Sequence, residues 1–197
     1  WTSFGKVLPG LSQMWKWQEG ETHGDDDGIP DCLIVVDSSG SMTDPNKELS
    51  YAVLGAGCAA DAYLRKGRKV GVYNFSDAQS GGKEVLDFNR DRDKVFGALC
   101  RYFGGGTSLD IPDMAPFMQE DVDIFLITDM QITNLDVLTQ LLAHAQNRVT
   151  AVHIGRNQEV ERFRDRVQNM EHICVYAVEK AEDIPDIVIG EVRARFR

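Results

Sequence analysis

Long apolar runs are missing from this chain. No stretch approaches the roughly 18 residues that a membrane-spanning helix needs. Basic clusters are missing too: Lys and Arg number 21 against 31 Asp and Glu, for a formal net charge of -10. Clustered cations grip a phosphate backbone, so this balance argues against a nucleic-acid role. Cysteine is sparse, and Cys32, Cys58, Cys100 and Cys174 form no C-x-x-C pair. That removes the usual sequence signal for a zinc site or a redox dithiol. The four read as buried free thiols of an intracellular protein, and the expected location is cytoplasmic. His23, His144, His153 and His172 show no ligand spacing. His153 falls inside an expected strand and reads as a hydrogen-bonded histidine rather than a metal ligand. No G-x-S-x-G elbow, G-x-G-x-x-G turn or P-loop lysine is present, which speaks against a hydrolase nucleophile and against nucleotide binding. No N-terminal signal pattern is visible, although the chain begins at Trp1 rather than Met.

What is present is an ordinary globular composition, 43% hydrophobic and 26% charged over 197 residues. That length fits one domain with a full core plus some extra chain. The extra chain is expected at residues 1–30. Trp1, Trp15 and Trp17, all the tryptophans there are, lie here ahead of an acidic stretch from Glu19 to Gly28. No helix or strand period emerges, so the segment reads as an arm or linker whose aromatics pack on something. Asp25-Asp26-Asp27-Gly28 lacks the alternating ligands and closing Glu of an EF-hand and reads as a solvated turn.

From residue 31 to residue 197 strands and helices alternate. Strands are predicted over 33–37, 70–75, 122–127, 149–154 and 173–178. A short, more polar strand is predicted over 83–88. Helices are predicted over 47–66, 91–102, 111–119, 159–167 and 184–196, with a further one marked by Leu135, Leu138, Leu142 and Ala145. In the first helix Leu49, Ala52, Val53, Ala56, Ala59, Ala60 and Tyr63 recur at spacings of three and four. The link from Phe75 to Lys83 is too short for a helical crossover, so the polar strand should run antiparallel at an edge. The expected fold is α/β: a Rossmann-like, doubly wound, mostly parallel sheet with one antiparallel edge strand and helices on both faces.

Within this frame one stretch carries chemistry. Leu33-Ile34-Val35-Val36 is an unbroken apolar run that stops at Asp37, followed by Ser39 and Ser41 around Gly40. Open α/β sheets place their ligands at the carboxyl ends of such strands, where the strand order reverses. Thr107 follows three glycines, which let backbone approach closely. Asp129 ends the fourth strand in chain order. One carboxylate and two hydroxyls on a strand tip suit a hard cation with oxygen ligands. The bland alternative is that Asp37 and the serines cap a helix and satisfy turn amides.

Asp37-x-Ser39-x-Ser41 with Thr107 and Asp129 resembles the metal-ion-dependent adhesion site (MIDAS) of von Willebrand factor A (vWA) domains. The likeness runs over residues 31–197, with all five positions in the family's chain order. One departure is Met130, where the family often has Gly. The resemblance implies that Ser39 and Ser41 ligate a divalent ion directly and that Thr107 does so directly or through water. Asp37 and Asp129 would act mainly through waters and orient the hydroxyls. The implied ion is Mg²⁺, with Mn²⁺ or Ca²⁺ as alternatives. Neutral ligands leave it under-neutralised, so a partner's Asp or Glu would complete its shell. The implied function is metal-dependent protein binding rather than catalysis, with no membrane insertion. The likeness leans toward prokaryotic domains that partner MoxR-class AAA+ ATPases or end chelatase subunits, with the closing helix as the mobile element. Asp110 reads as a first-turn helix residue, with a share in neutralising the ion as the alternative, and Asp44 and Asp77 read as ordinary loop residues. Two other functions stand beside this one: a Mg²⁺-dependent phosphoryl hydrolase using the same crevice, and an extracellular adhesion domain.

Overall fold

The computed structural model describes residues 28–119, 121–155 and 157–196. The arm expected at residues 1–30 lies outside them up to residue 27. Six strands form one sheet: β1 (Asp31–Asp37), β2 (Val70–Phe75), β3 (Lys83–Asn89), β4 (Val122–Thr128), β5 (Val149–Ile154) and β6 (Ile173–Val178). Their order is β3-β2-β1-β4-β5-β6. Every pairing is parallel except β2 with β3, so the polar strand is the antiparallel edge. Its short connection, a single 3₁₀ turn over Ala78–Ser80, leaves no room for a crossover.

Alternation along the central strand separates two cores. Leu33 and Val35 of β1 face one layer, and Cys32, Ile34 and Val36 face the other. The first layer is closed by α3 (Ile111–Met114), α4 (Leu135–His144) and α5 (Gln158–Val167) through Met114, Leu138, Leu142 and Phe163. The second is closed by α1 (Tyr51–Arg65), α2 (Arg92–Leu99) and α6 (Ile184–Arg195) through Ala56, Ala60, Leu99 and Val188. Because both faces of β1 and β4 are covered, their sequences read as continuous apolar runs.

Several boundaries differ from expectation for identifiable reasons. The first helix begins at Tyr51 rather than at residue 47, because Ser50 caps it by accepting from the Val53 amide. Residues 44–48 form a turn instead, with the Lys47 and Glu48 amides bonded to the Asp44 carbonyl. Leu49, counted on the buried face, is therefore outside the helix and 63% exposed. The second helix stops at Leu99 instead of 102. The buried Asn74 side chain on β2 donates to the carbonyls of Ala98 and Arg101 at 2.9 and 2.8 Å, which diverts the chain toward the glycine run. The segment 111–119 is α-helical only to Met114 and continues as a 3₁₀ helix over Ala115–Gln119. Pro116 lacks the amide that an α-helix would need there. The cysteines are all free, but only Cys32 is buried, with Cys58 intermediate and Cys100 and Cys174 exposed. No helix among the described residues is long and apolar enough to cross a membrane.

Candidate functional site

The strand order reverses between β2-β1 and β4, so the loops that leave β1 and β4 open onto the same crevice. Asp37 is the last residue of β1 and is 2% exposed. Its Oδ1 accepts the Ser39 amide at 2.8 Å, and its Oδ2 accepts the Thr128 hydroxyl at 2.6 Å. The first bond curls the chain so that the Ser39 and Ser41 hydroxyl oxygens lie 3.2 Å apart. Ser39 is fully buried, and Ser41 is on the exposed side of the turn.

The glycine loop is fastened to this turn by backbone. Gly104 donates to the Ser38 carbonyl at 2.9 Å, and Gly40 donates to the Gly105 carbonyl at 3.0 Å. A Cβ on Gly40 would sit 3.2 Å from the Gly105 oxygen, so the approach tolerates no side chain without a shift. Gly104 and Gly105 hold φ at +67° and +83°, a region open to glycine without strain. Ser76, at the end of β2, donates its hydroxyl to the Gly106 carbonyl at 2.8 Å, and the Thr107 carbonyl accepts the Thr133 amide at 2.9 Å. Thr107, half-buried, thus lies two residues beyond Gly105 in a loop tied on one side to the Ser38–Gly40 turn and on the other to Thr133.

Asp129 follows β4 and is 7% exposed. Its carboxylate accepts the Gln131 amide and side-chain nitrogen at 3.0 and 3.1 Å. Its carbonyl accepts the Asn157 side chain at 2.9 Å. Asp129 and Ser41 line the same pocket of about 280 Å³, which continues to Tyr51, Ile154 and Ala181. Burial pushes the Asp37 carboxyl above its usual range, against the lowering bonds from Thr128 and Ser39, and the Asp129 charge adds to the rise. A cation in the crevice would offset both causes.

The structure therefore brings the three segments together. The oxygen-only donor set fits a hard divalent ion. The 3.2 Å hydroxyl spacing is near the roughly 2.9 Å edge of an octahedron with metal–oxygen bonds of about 2.0–2.1 Å. Among the described residues no group of three or more His, Cys, Asp or Glu side chains is placed to hold a metal, so a metal here depends on the hydroxyls as much as on the carboxylates.

Three acidic residues on the same face do other work. The Asp110 carboxylate pairs with Lys83 at 2.6 Å, and Lys83 also meets Asp113. Asp110 thus shares one lysine with Asp113. Asp77 accepts the Ser108 hydroxyl at 2.7 Å. Asp44 caps its own turn through the Asn46 amide. Sequence reasoning assigned no role to Thr128, Asn157 or Asn74. Thr128 alone had a readable signal, a hydroxyl closing an apolar strand one residue before Asp129. The two asparagines act across 28 residues and 24 residues of sequence, and no local pattern marks such a pairing.

No family model matches the sequence, and no curated protein does so either. Solved structures do resemble it. The crystal structure of the SpRpn10 VWA domain covers 79% of this chain and 93% of its own, with TM-score 0.58 and 14% identity. The crystal structure of an aerotolerance-related membrane protein from Bacteroides fragilis, carrying multiple mutations to serines, covers 84% of this chain and 99% of its own. Its TM-score is 0.52 at 14% identity. At that identity the likeness concerns the course of the backbone, and the chain has the vWA fold.

Proposed function

We propose that this chain is a protein-interaction module whose crevice holds a divalent cation and offers it to an acidic side chain of a partner. The observation that carries this reading is the convergence of three sequence-distant loops on the Ser39–Ser41 hydroxyl pair, 3.2 Å apart, with Asp37 and Asp129 beside it. In this reading Ser39 and Ser41 bind the ion directly, and Thr107 adds a ligand from the glycine loop. Asp37 orients Ser39 through its amide, while Asp129, braced by Gln131, lines the same pocket as Ser41. The ion, Mg²⁺ in the first instance, supplies an open electrophilic position for a carboxylate. Mn²⁺ and Ca²⁺ offer the same oxygen chemistry.

The module reading is favoured over a phosphoryl hydrolase by the state of Asp37. A nucleophilic carboxylate needs an oxygen aimed at substrate. Both Asp37 oxygens are engaged, by Ser39 and Thr128, and the residue is 2% exposed. The partner class proposed is a MoxR-type AAA+ ATPase in a cytoplasmic complex. The four free thiols support a cytoplasmic setting.

The test is capture of binding proteins from source lysate by the immobilised chain, with Mg²⁺ or with EDTA, beside the Asp37→Ala variant. A partner held by the wild type in Mg²⁺, and released by EDTA or by the substitution, is the expected result. Equal capture under all three conditions would contradict the proposal. So would hydrolysis of a generic phosphate ester that disappears in Asp37→Ala.

A further inference from the structure

The two edges of the sheet are built differently. β3, at one edge, carries Lys83, Glu84 and Asp87, and its register with β2 shifts between Val70 and Val72. Charge and a bulge are among the devices that keep an edge strand from recruiting another chain. β6, at the other edge, reads Ile173-Cys174-Val175-Tyr176-Ala177-Val178, with no charge and no proline. Its pairing with β5 runs along the whole strand without a shift. Among the described residues no strand pairs with its outer side. We propose that a second copy of this chain pairs there, β6 against β6 in antiparallel sense, about a two-fold axis normal to the sheet.

Backbone phase sets the register. The Val149 amide donates to the His172 carbonyl at 2.8 Å, and the Gly155 amide donates to the Val178 carbonyl at 2.9 Å. A parallel ladder alternates, so Cys174, Tyr176 and Val178 turn their backbone groups toward β5. Val175 and Ala177 turn theirs outward, and so does the Ile173 carbonyl. The Ile173 amide is held by the Met170 carbonyl at 3.1 Å. A two-fold axis at Val175 matches this outward set to itself. The Val175 amide of each copy donates to the Val175 carbonyl of the other, and the Ala177 amide donates to the Ile173 carbonyl. Cys174 then faces Tyr176 across the seam at a closely spaced, non-hydrogen-bonded position.

Charge selects the same occupant. Glu161, Arg164, Asp165 and Gln168 are exposed and recur at the spacings of three and four that make one helix face. They border one depression with Ile173 and Val175, so this face of α5 stands over the open edge. The axis sets α5 of one copy antiparallel to α5 of the other, on the same side of the joined sheet. Adjoining strands lie about 4.8 Å apart, so two helices that each cover a copy's last two strands are about 10 Å apart, within packing distance. Centred between residues 164 and 165, the facing stripes set Arg164 against Asp165 twice and Glu161 against Gln168. A face with both signs so placed is its own complement. The other arginines of α5, Arg162 and Arg166, pair with Glu159 and Asp136 inside the same copy. The crevice of the proposed metal site lies at β1 and β4, away from the seam. In the pair the two crevices open toward opposite ends of the joined sheet.

Sedimentation velocity of the full chain tests this, from about 1 μM to about 1 mM protein, the Kd span of weak to moderate association. A reversible monomer–dimer equilibrium is expected. Ala177 is exposed and its amide faces outward, so Ala177→Pro removes seam bonds and leaves the β5 ladder whole. Ala177→Lys puts a cation on the edge without touching the backbone. Both variants should be folded by circular dichroism and monomeric across the range. Arg164→Asp and Asp165→Arg should each weaken self-association by about 10-fold or more, because like charges then meet. An equimolar mixture of those two should dimerise again, since the acidic face of one variant meets the basic face of the other. A wild type that stays monomeric throughout would overturn the proposal. So would a dimer unaffected by both Ala177 substitutions, or charge variants that gain nothing on mixing. Species that grow beyond the dimer would mean a head-to-tail contact in place of the two-fold axis, and would overturn it equally.

Discussion

Met130 holds φ at +62° while its side chain is fully buried in the core. This is the position where glycine would be unstrained, and a non-glycine residue there costs about 1–2 kcal/mol. The strain sits directly after Asp129 and re-aims the chain into the Gln131 turn that braces the carboxylate. Substituting Met130 removes buried volume, so both Met130→Gly and Met130→Ala are expected to destabilise, by about 2–5 kcal/mol for Ala. Their order is the informative part. Relief of about 1–2 kcal/mol of strain outweighs the roughly 0.5–1 kcal/mol by which glycine loosens the unfolded chain. Denaturant unfolding should therefore show the Gly variant more stable than the Ala variant, by about 0.5–1 kcal/mol. The reverse order would mean the left-handed conformation is not held. Thr128 is the second telling residue, since its hydroxyl donates to Asp37 and accepts the Met130 amide at 3.0 Å. Thr128→Val keeps the shape but orphans a buried amide, at about 1–3 kcal/mol. On the proposed site it should also weaken Mg²⁺ binding by about 10- to 100-fold, and Thr128→Ser should restore most of both. Calorimetric titration and denaturant unfolding separate the two effects. At this scale the ligand types were readable, because Asp, Ser and Ser at alternate positions after an apolar run form a local pattern. The hydroxyl behind Asp37 was not, since 91 residues separate the pair.

Elements were legible where one face repeats and illegible where a side chain elsewhere decides an end. Both central strands read clearly because both their faces are buried. The start of α1 did not, because Leu49 mimics the helical period while Ser50 carries the cap. The end of α2 depends on Asn74, which sits inside another strand. β5 carries a titratable group whose placement has a consequence. His153 is fully buried, and its Nδ1 bonds the Gly155 carbonyl at 3.0 Å, so Nδ1 bears the proton. Its Nε2 is buried without a partner. Burial holds its pKa below the usual 6.5, and the Arg164 charge adds to the drop against the raising bond from Gly155. The folded state therefore takes up fewer protons than the unfolded chain once pH falls below about 6.5. Stability from this group is complete above that pH and declines as the solution is acidified toward the depressed value. Substitution His153→Gln should remove that decline. The melting temperature of the wild type should fall faster than that of the variant between about pH 6.5 and 5. Parallel curves would count against a neutral buried His153.

Among the described residues the sheet carries the candidate site at one end and a buried ionic tie at the other. Arg195 of α6 and Asp123 of β4 pair at 3.2 Å with both side chains 2% exposed. The Tyr63 hydroxyl also donates to Asp123, and Arg195 lies over the Phe125 ring at 4.4 Å. Replacing Arg195 with Met leaves a buried carboxylate with Arg148 and the Tyr63 hydroxyl beside it. The loss should be about 3 kcal/mol, the low end for a broken buried pair because that second cation stays. The closing helix is thus tied to β4 at its carboxyl end. Strand alternation and the short link before β3 made this topology readable from sequence. The tie was hidden, because an arginine at a helix end looks like an ordinary partner for the helix dipole. The claim on which the rest depends is that Ser39 and Ser41 hold a divalent ion. Its most direct measurement is calorimetric titration of the metal-stripped chain with Mg²⁺ and Mn²⁺, beside a Ser39→Ala/Ser41→Ala double variant of unchanged circular dichroism. The account predicts one saturable ion per wild-type chain and none in the variant. Equal binding by both proteins, or none by the wild type at millimolar metal, would contradict it.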